Sequence, residues 1–308
     1  MTYVRPFDPW RATSLCTCPF KYTVNPYTGC SHGCLYCYAS SYIKDFFKPR
    51  PKENYLDVVR RDLRRIREGS IVNISSSSDP YQPLEGKYMY TRRTLEMLSG
   101  RFTAEVVTKS DLVVRDVDLL SGMSSVVSIT ITTLDSSLAQ RLEPGAPSPQ
   151  RRVKAVELLS REGVPVVVRL DPLIPGLNDS PESIAEVVDA AASAGARHVV
   201  SSTYKVKPDN LRRMTEAFPE IIPRLRDLYF EKGERLHGYL YAEKTYRREV
   251  LATVKSEAER RGLTFATCRE GLADLNTPGV SCDGTHLAGL RFHSSQPPGS
   301  HSSPRGTL

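Results

Sequence analysis

The 308-residue chain carries 42 Lys and Arg against 35 Asp and Glu, a net charge of +7, with 40% hydrophobic and 25% charged residues. That mix is ordinary for a soluble globular fold and excludes a coiled coil, a collagen-like fibre and a mainly disordered chain. No apolar run approaches the roughly 18–20 residues of a membrane span. Seven cysteines, in a chain whose Met1–Trp10 stretch lacks an apolar export signal, favour metal binding or catalysis over a disulfide framework. A cytoplasmic location is expected.

In chain order, Tyr22–Asn25 is the first strand-like run, and Ile71–Ser75 is the second, followed by a helical stretch over Arg92–Ser99. Phe102–Thr108 with Asp111–Ser121, Val126–Thr132 with Pro149–Glu162, and Val164–Leu170 with Ser180–Ala194 continue the alternation, and His198–Ser202 is a sixth strand. Several strands are nearly continuous apolar runs, which suits parallel strands buried on both faces. Six such units with right-handed crossovers fit a doubly wound sheet or a barrel. Ser76–Asp79, Lys109, Thr132, Thr133, Asp171 and Thr203 all fall at strand C-terminal ends, where barrel enzymes build their sites. The expected fold is therefore α/β, a partial (β/α)6 TIM-like barrel with an α-rich C-terminal extension. In that extension Pro208–Phe230 is helical in two pieces, Glu243–Arg261 is an amphipathic helix, and Thr264–Thr267 is a last short strand. The expected division is an N-terminal extension over 1–19, the barrel over 20–205, the extension over 206–290, and a disordered tail over 291–308, rich in Ser, Pro, Gly and His.

Between the first two strands lies Cys30-Ser-His-Gly-Cys34-Leu-Tyr-Cys37-Tyr38, with C-x3-C-x2-C spacing. A loop this compact can wrap three irons of a [4Fe–4S] cube and leave the fourth without a protein ligand. A structural zinc site normally closes with four ligands. His32, flanked by two candidate ligands on a tight loop, is expected to be exposed and not the fourth. Metal-ligand candidates are thus Cys30, Cys34 and Cys37.

The spacing, the aromatic Tyr36 before the third cysteine and the β/α series that follows resemble the radical S-adenosylmethionine superfamily. Asn25-Pro-Tyr-Thr-Gly-Cys30 and Ser77-Ser-Asp-Pro-Tyr-Gln-Pro-Leu-Glu85 are similar to the branch that contains spore photoproduct lyase, over roughly residues 20 to 205. The resemblance implies an enzyme, its cofactors a [4Fe–4S] cluster and S-adenosylmethionine, which cleaves the latter reductively to a 5′-deoxyadenosyl radical that takes hydrogen from a substrate. It also implies a flavodoxin- or ferredoxin-like external electron donor. Carried over by motif, Ser78, Lys109 and Ser128 match contacts to S-adenosylmethionine, and Tyr36 and Tyr38 match tyrosines beside the cluster, as catalytic candidates. The alternative for both tyrosines is an ordinary place in the core. The branch's hydrogen-donating cysteine is replaced here by Ser76, so the lyase's own route does not carry over.

Other residues leave alternatives open. Arg169, inside an apolar strand, must meet either the cofactor carboxylate or an acid such as Asp171. Asp79 and Glu85 can hold ribose hydroxyls or a substrate, or Asp79-Pro can simply start a turn. Cys16, Cys18, Cys268 and Cys282 are either a second metal site or buried free thiols. Nine basic residues between Lys44 and Glu68 put a basic face beside the cysteine loop, which is either solvated or turned to nucleic acid. A non-catalytic zinc or iron–sulfur nucleic-acid-binding protein is the competing reading of the whole chain.

Overall fold

Short β-branched runs separated by amphipathic helices assemble into one main sheet. The computed structural model describes residues 1–7 and 15–288, so the predicted tail over 291–308 lies outside the described residues. The strands are β1 (Arg5–Phe7), β2 (Lys21–Val24), β3 (Tyr27–Thr28), β4 (Arg50–Pro51), β5 (Ile71–Ile74), β6 (Thr103–Thr108), β7 (Ser125–Thr130), β8 (Val166–Leu173), β9 (His198–Thr203), β10 (Glu234–Leu236), β11 (Tyr239–Tyr241) and β12 (Thr264–Thr267). The helices are α1 (Tyr55–Leu63), α2 (Leu84–Tyr88), α3 (Tyr90–Leu98), α4 (Val117–Gly122), α5 (Ser136–Leu142), α6 (Pro149–Arg161), α7 (Pro181–Ser193), α8 (Pro208–Ala217), α9 (Ile222–Leu225) and α10 (Lys244–Arg260).

The main sheet runs β1-β2-β5-β6-β7-β8-β9-β12, parallel throughout except for the β1–β2 pair. All six expected strands are present. Thr264–Thr267 adds a seventh parallel strand beside β9, because α10 packs on α7 and returns the chain to the sheet. After β9 the chain is helical from Pro208 and rejoins the sheet at β12. Among the described residues no ladder joins β12 to β1, so the barrel stays open on one side.

Helix boundaries follow their local chemistry. Ser148 and Ser180 accept from the backbone amides of Arg151 and Ser183, and Pro149 and Pro181 begin α6 and α7. Val127, Ile129, Val166, Val168, Val199 and Phe265 point to the helices and form the main core. Their neighbours Val126, Val167, Val200 and Ala266 point inward. The apolar runs are thus buried on both faces only near the strand N-terminal ends. Two residues further along, the inner face turns polar, at Glu105, Ser128, Arg169 and Ser202.

At the start of β9, His198 is fully buried, with Nδ1 2.8 Å from Thr264 Oγ1 and Nε2 without a partner. Burial, reinforced by the neighbouring His286, pulls its pKa down to about 3. A depressed histidine costs stability as the unfolded chain takes up the proton first. Its contribution is complete above about pH 6.5 and declines by about 1.4 kcal/mol per pH unit as pH falls toward 3. Urea unfolding of the apo protein from pH 7 to pH 5 should show this slope, and His198→Asn should flatten it; equal slopes would remove His198 as its source.

Candidate active site at the C-terminal ends of the strands

The cysteine loop is held at its backbone. Cys30 N–H donates to Phe46 O at 2.8 Å, and Gly29 lies at φ +80°, where a Cβ would come within 2.3 Å of the same carbonyl. Gln82, fully buried, accepts from Ser31 N–H (3.1 Å) and donates to Gly29 O (3.0 Å). The turn after α5 closes against the loop: Gly145 N–H donates to His32 O (2.9 Å), and Leu35 N–H to Leu142 O (2.9 Å). A Cβ on Gly145 would meet Ser31 O at 2.2 Å. From α8, Asn210 Nδ2 donates to Tyr36 O (2.9 Å), while Arg213 donates to Leu35 O (3.1 Å) and Cys37 O (3.0 Å). Sequence reasoning missed this clamp, because Asn210 and Arg213 stand more than 170 residues from the loop.

Cys30, Cys34 and Cys37 line one cavity of about 310 Å³ at the strand C-terminal ends. Burial pushes the Cys30 thiol up to about 12 and raises Cys34 and Cys37 as well; Lys109 opposes the rise at the latter two. Two buried thiols and a half-buried one, which ionise with difficulty alone and stand near the Lys109 cation, form a donor set suited to a soft polynuclear centre with one open corner. Lys109 is anchored through its N–H, which donates to Asp79 at 2.7 Å. Its ammonium lies 5.5 Å from the Tyr36 ring centroid and makes no hydrogen bond among the described residues. Ser78, buried on the same cavity, donates to Tyr27 O at 3.1 Å.

The other candidate residues are placed as follows. Ser128 faces the barrel interior but does not line the cavity; its Oγ is buried and unpartnered. Tyr36 lines the cavity with its ring, yet its hydroxyl donates to buried Glu143, which also contacts Arg152 at 2.5 Å. That bond commits the hydroxyl to bracing the loop. Tyr38 does face the cavity, edge-on to Tyr239 at 5.4 Å with the Arg269 guanidinium 5.0 Å from its centroid. Arg169 pairs with Asp171 at 2.7 Å, and Asp171 accepts from Ser202 at 2.6 Å. Arg169 thus has its acid in Asp171, and both line the same cavity.

His32 is buried, 2% exposed, with Nδ1 3.4 Å from Asp79. Asp79 accepts from Thr108 Oγ1 (2.7 Å) and Tyr81 N–H (2.9 Å) besides Lys109. Burial works against its charge, but His32 and these bonds outweigh it and hold Asp79 at about 2. Asp79 thus pins the loops after β5 and β6 to the cysteine loop. Glu85 lies away from the cavity, fully buried, accepting from Tyr27 (2.5 Å), Thr91 N–H (2.9 Å) and Arg115 (2.8 Å).

The basic run divides in two. Arg60, Arg61, Arg64, Arg65 and Arg67 lie on α1 and the turn that feeds the N-terminal end of β5, the edge away from the cavity. Lys44, Lys48, Arg50 and Lys52 belong to the segment whose Phe46 holds the cysteine loop.

The family model of the radical SAM superfamily matches residues 24–191 of this chain. The chain belongs to the radical SAM superfamily. As a radical SAM protein it is an enzyme whose cofactors are a [4Fe–4S] cluster and S-adenosylmethionine, and such enzymes draw on an external electron donor. An uncharacterised protein of Mycobacterium tuberculosis is 29% identical over 240 residues, 68% of each chain. The radical SAM Nα-GlyT isomerase of Pseudomonas phage M6 is 26% identical over 260 residues, 80% of this chain and 53% of the phage protein. A spore photoproduct lyase variant with bound AdoMet and dinucleoside spore photoproduct shares the fold, with a TM-score of 0.66 and 17% identity over 80% of this chain and 76% of the lyase. Among the described residues no helix is long and apolar enough to cross a membrane.

Proposed function

We propose that Cys30, Cys34 and Cys37 hold the cluster, that Lys109 and Ser78 hold S-adenosylmethionine beside it, and that the enzyme takes a hydrogen atom from a nucleotide-bearing substrate. The observation that carries this reading is the meeting of three thiols and the Lys109 ammonium, which makes no hydrogen bond among the described residues, on a single cavity. When bound, the cluster supplies the electron that cleaves the sulfonium to a 5′-deoxyadenosyl radical. The Lys109 ammonium suits a carboxylate as a compact cation. The Ser78 oxygen, its proton already given to Tyr27 O, is left to accept from an amino group. Tyr38 and Phe46 give the cavity apolar walls that keep water from a reactive intermediate.

The substrate class rests on the rim. Tyr42 and Phe47 are exposed by 58% and 43%, interleaved with exposed Lys44, Lys48 and Arg50, and their neighbour Phe46 reaches the cavity. Aromatic faces among cations suit stacked bases and their phosphates. The bound dinucleoside in the lyase structure is in keeping with that choice. A flavodoxin- or ferredoxin-like protein is the proposed electron donor.

Anaerobically reconstituted protein should be brown and should release 5′-deoxyadenosine from S-adenosylmethionine with dithionite; colourless protein with stoichiometric zinc on the loop thiols would sink the reading. Lys109→Ala should leave the iron content unchanged and weaken S-adenosylmethionine binding by about tenfold or more, as loss of a charge-assisted hydrogen bond requires. Unchanged affinity in equilibrium binding would remove Lys109 from the cofactor site.

A further inference from the structure

Four cysteines that this reading leaves unused meet on the same cavity. Cys16 and Cys18 precede β2, Cys268 follows β12, and Cys282 lies in the last described segment. The sulfurs of Cys16, Cys18 and Cys282 all lie within 4.8 Å of one another. Those of Cys18 and Cys282 are 2.9 Å apart, and Cys268 lies outside this tight trio but packs with Cys16 and Cys18 on the apolar cluster that holds Cys282. Beneath them is an apolar floor of Val126, Val167, Val200 and Ala266.

The segments that carry these thiols are joined by bonds independent of sulfur. Buried Lys21 donates to Asp283 at 2.8 Å and to Glu105 at 2.6 Å, tying β2 to the Cys282 segment. Cys18 N–H donates to Cys16 Sγ at 3.4 Å, an amide–sulfur bond of the kind that favours a thiolate. Two cations stand close by: Lys21, three residues after Cys18, and Arg169, which lines the same cavity as the four thiols. They can offset the excess negative charge of four thiolates around a divalent ion.

We propose that Cys16, Cys18, Cys268 and Cys282 bind a single thiophilic metal ion, zinc by its chemistry, as a closed tetrathiolate site that straps the open side of the barrel. Size selects one ion over a cube. A tetrahedral ion with metal–sulfur bonds of about 2.3 Å holds its sulfurs about 3.8 Å apart. A cubane sets each thiolate outside a different iron and so spreads them further. Among the described residues, Cys30, Cys34 and Cys37 do not form a trio as tight as Cys16, Cys18 and Cys282. The Cys16–Cys18–Cys282 trio thus has the spread of a single-ion site, and the trio of the cysteine loop does not. The strap joins the segment entering β2, near one end of the sheet, to the segments leaving β12 at the other end, where no backbone ladder does so.

The test is metal analysis of full-length protein purified without chelator, in the wild type and in a Cys30→Ala/Cys34→Ala/Cys37→Ala variant. The expected result is one zinc per chain in both, with iron lost only from the variant. Adding Cys282→Ser to that variant should remove the zinc. Should that chain fail to fold, stripping zinc from the triple variant with a chelator should lower its Tm by several degrees, and zinc should restore it. Absence of zinc from both proteins, a Cys18–Cys282 crosslink found by mass spectrometry, or a zinc-replete triple variant whose Tm ignores the chelator would overturn the strap. Eight irons in the wild type would overturn the single-ion assignment. Iron retained in the triple variant would count against the cluster assignment instead, so the two failures are distinct.

Discussion

Replacing Cys34 by alanine should remove the iron and the cleavage of S-adenosylmethionine together while leaving the sheet in place. Cys34 is buried at the cavity wall beside Tyr36, Leu142 and Ile174. The bonds that hold its loop run through backbone atoms of Ser31, Leu35, Tyr36 and Cys37, and none depends on the Cys34 sulfur. Removing that sulfur deletes one of three thiol donors at a small packing cost, on the order of 1 kcal/mol. Far-UV circular dichroism and the apo-protein Tm should therefore stay close to wild type, while bound iron and 5′-deoxyadenosine fall to background. Retained 5′-deoxyadenosine release by Cys34→Ala would refute the ligand assignment.

Glu143→Ala should be the most damaging single change away from the thiols. Glu143 is fully buried, accepts from the Tyr36 hydroxyl and from Thr132 Oγ1 at 3.1 Å, and neutralises Arg152, itself only 1% exposed. Burial resists its ionisation, but Arg152 and Lys109 hold the carboxylate below its ordinary range. Arg152 also donates to Thr130 O (3.1 Å) and Pro147 O (2.8 Å), so it cannot swing out to water without breaking those bonds. Alanine leaves a buried guanidinium uncompensated, a loss of about 3–5 kcal/mol. Because Leu142 and Gly145 flank Glu143 and both bond the cysteine loop, iron retention should fall too. The check is urea unfolding of the apo protein; a change below about 1 kcal/mol would mean that the pair contributes little.

Much of the fold was legible because its signals are local. The β-branched runs and the Ser-Pro starts of α6 and α7 act within a few residues of themselves. Side-chain direction was harder to read. Ser128 and Thr130 sit on one face of β7, yet only Thr130 reaches the cavity, because depth along the strand separates them. His32 looked exposed on its tight loop, and it is buried because the loops after β5 and β6 bring Asp79 over it. Arg169 found its acid two residues away, a pairing that strand periodicity permits since i and i+2 share a face.

By itself, the sequence determined the α/β class, the radical SAM membership and the three thiols of the cysteine loop, since C-x3-C-x2-C closes within eight residues and needs no distant partner. Only the tertiary structure decided what surrounds them. Asn210 and Arg213 reach the loop from α8, and Cys16 and Cys18 share one apolar cluster and one cavity with Cys268 and Cys282 across more than 240 residues of chain. Such meetings follow from strand order and from where an open sheet must be closed. Those are properties of the whole chain, and no window of residues encodes them.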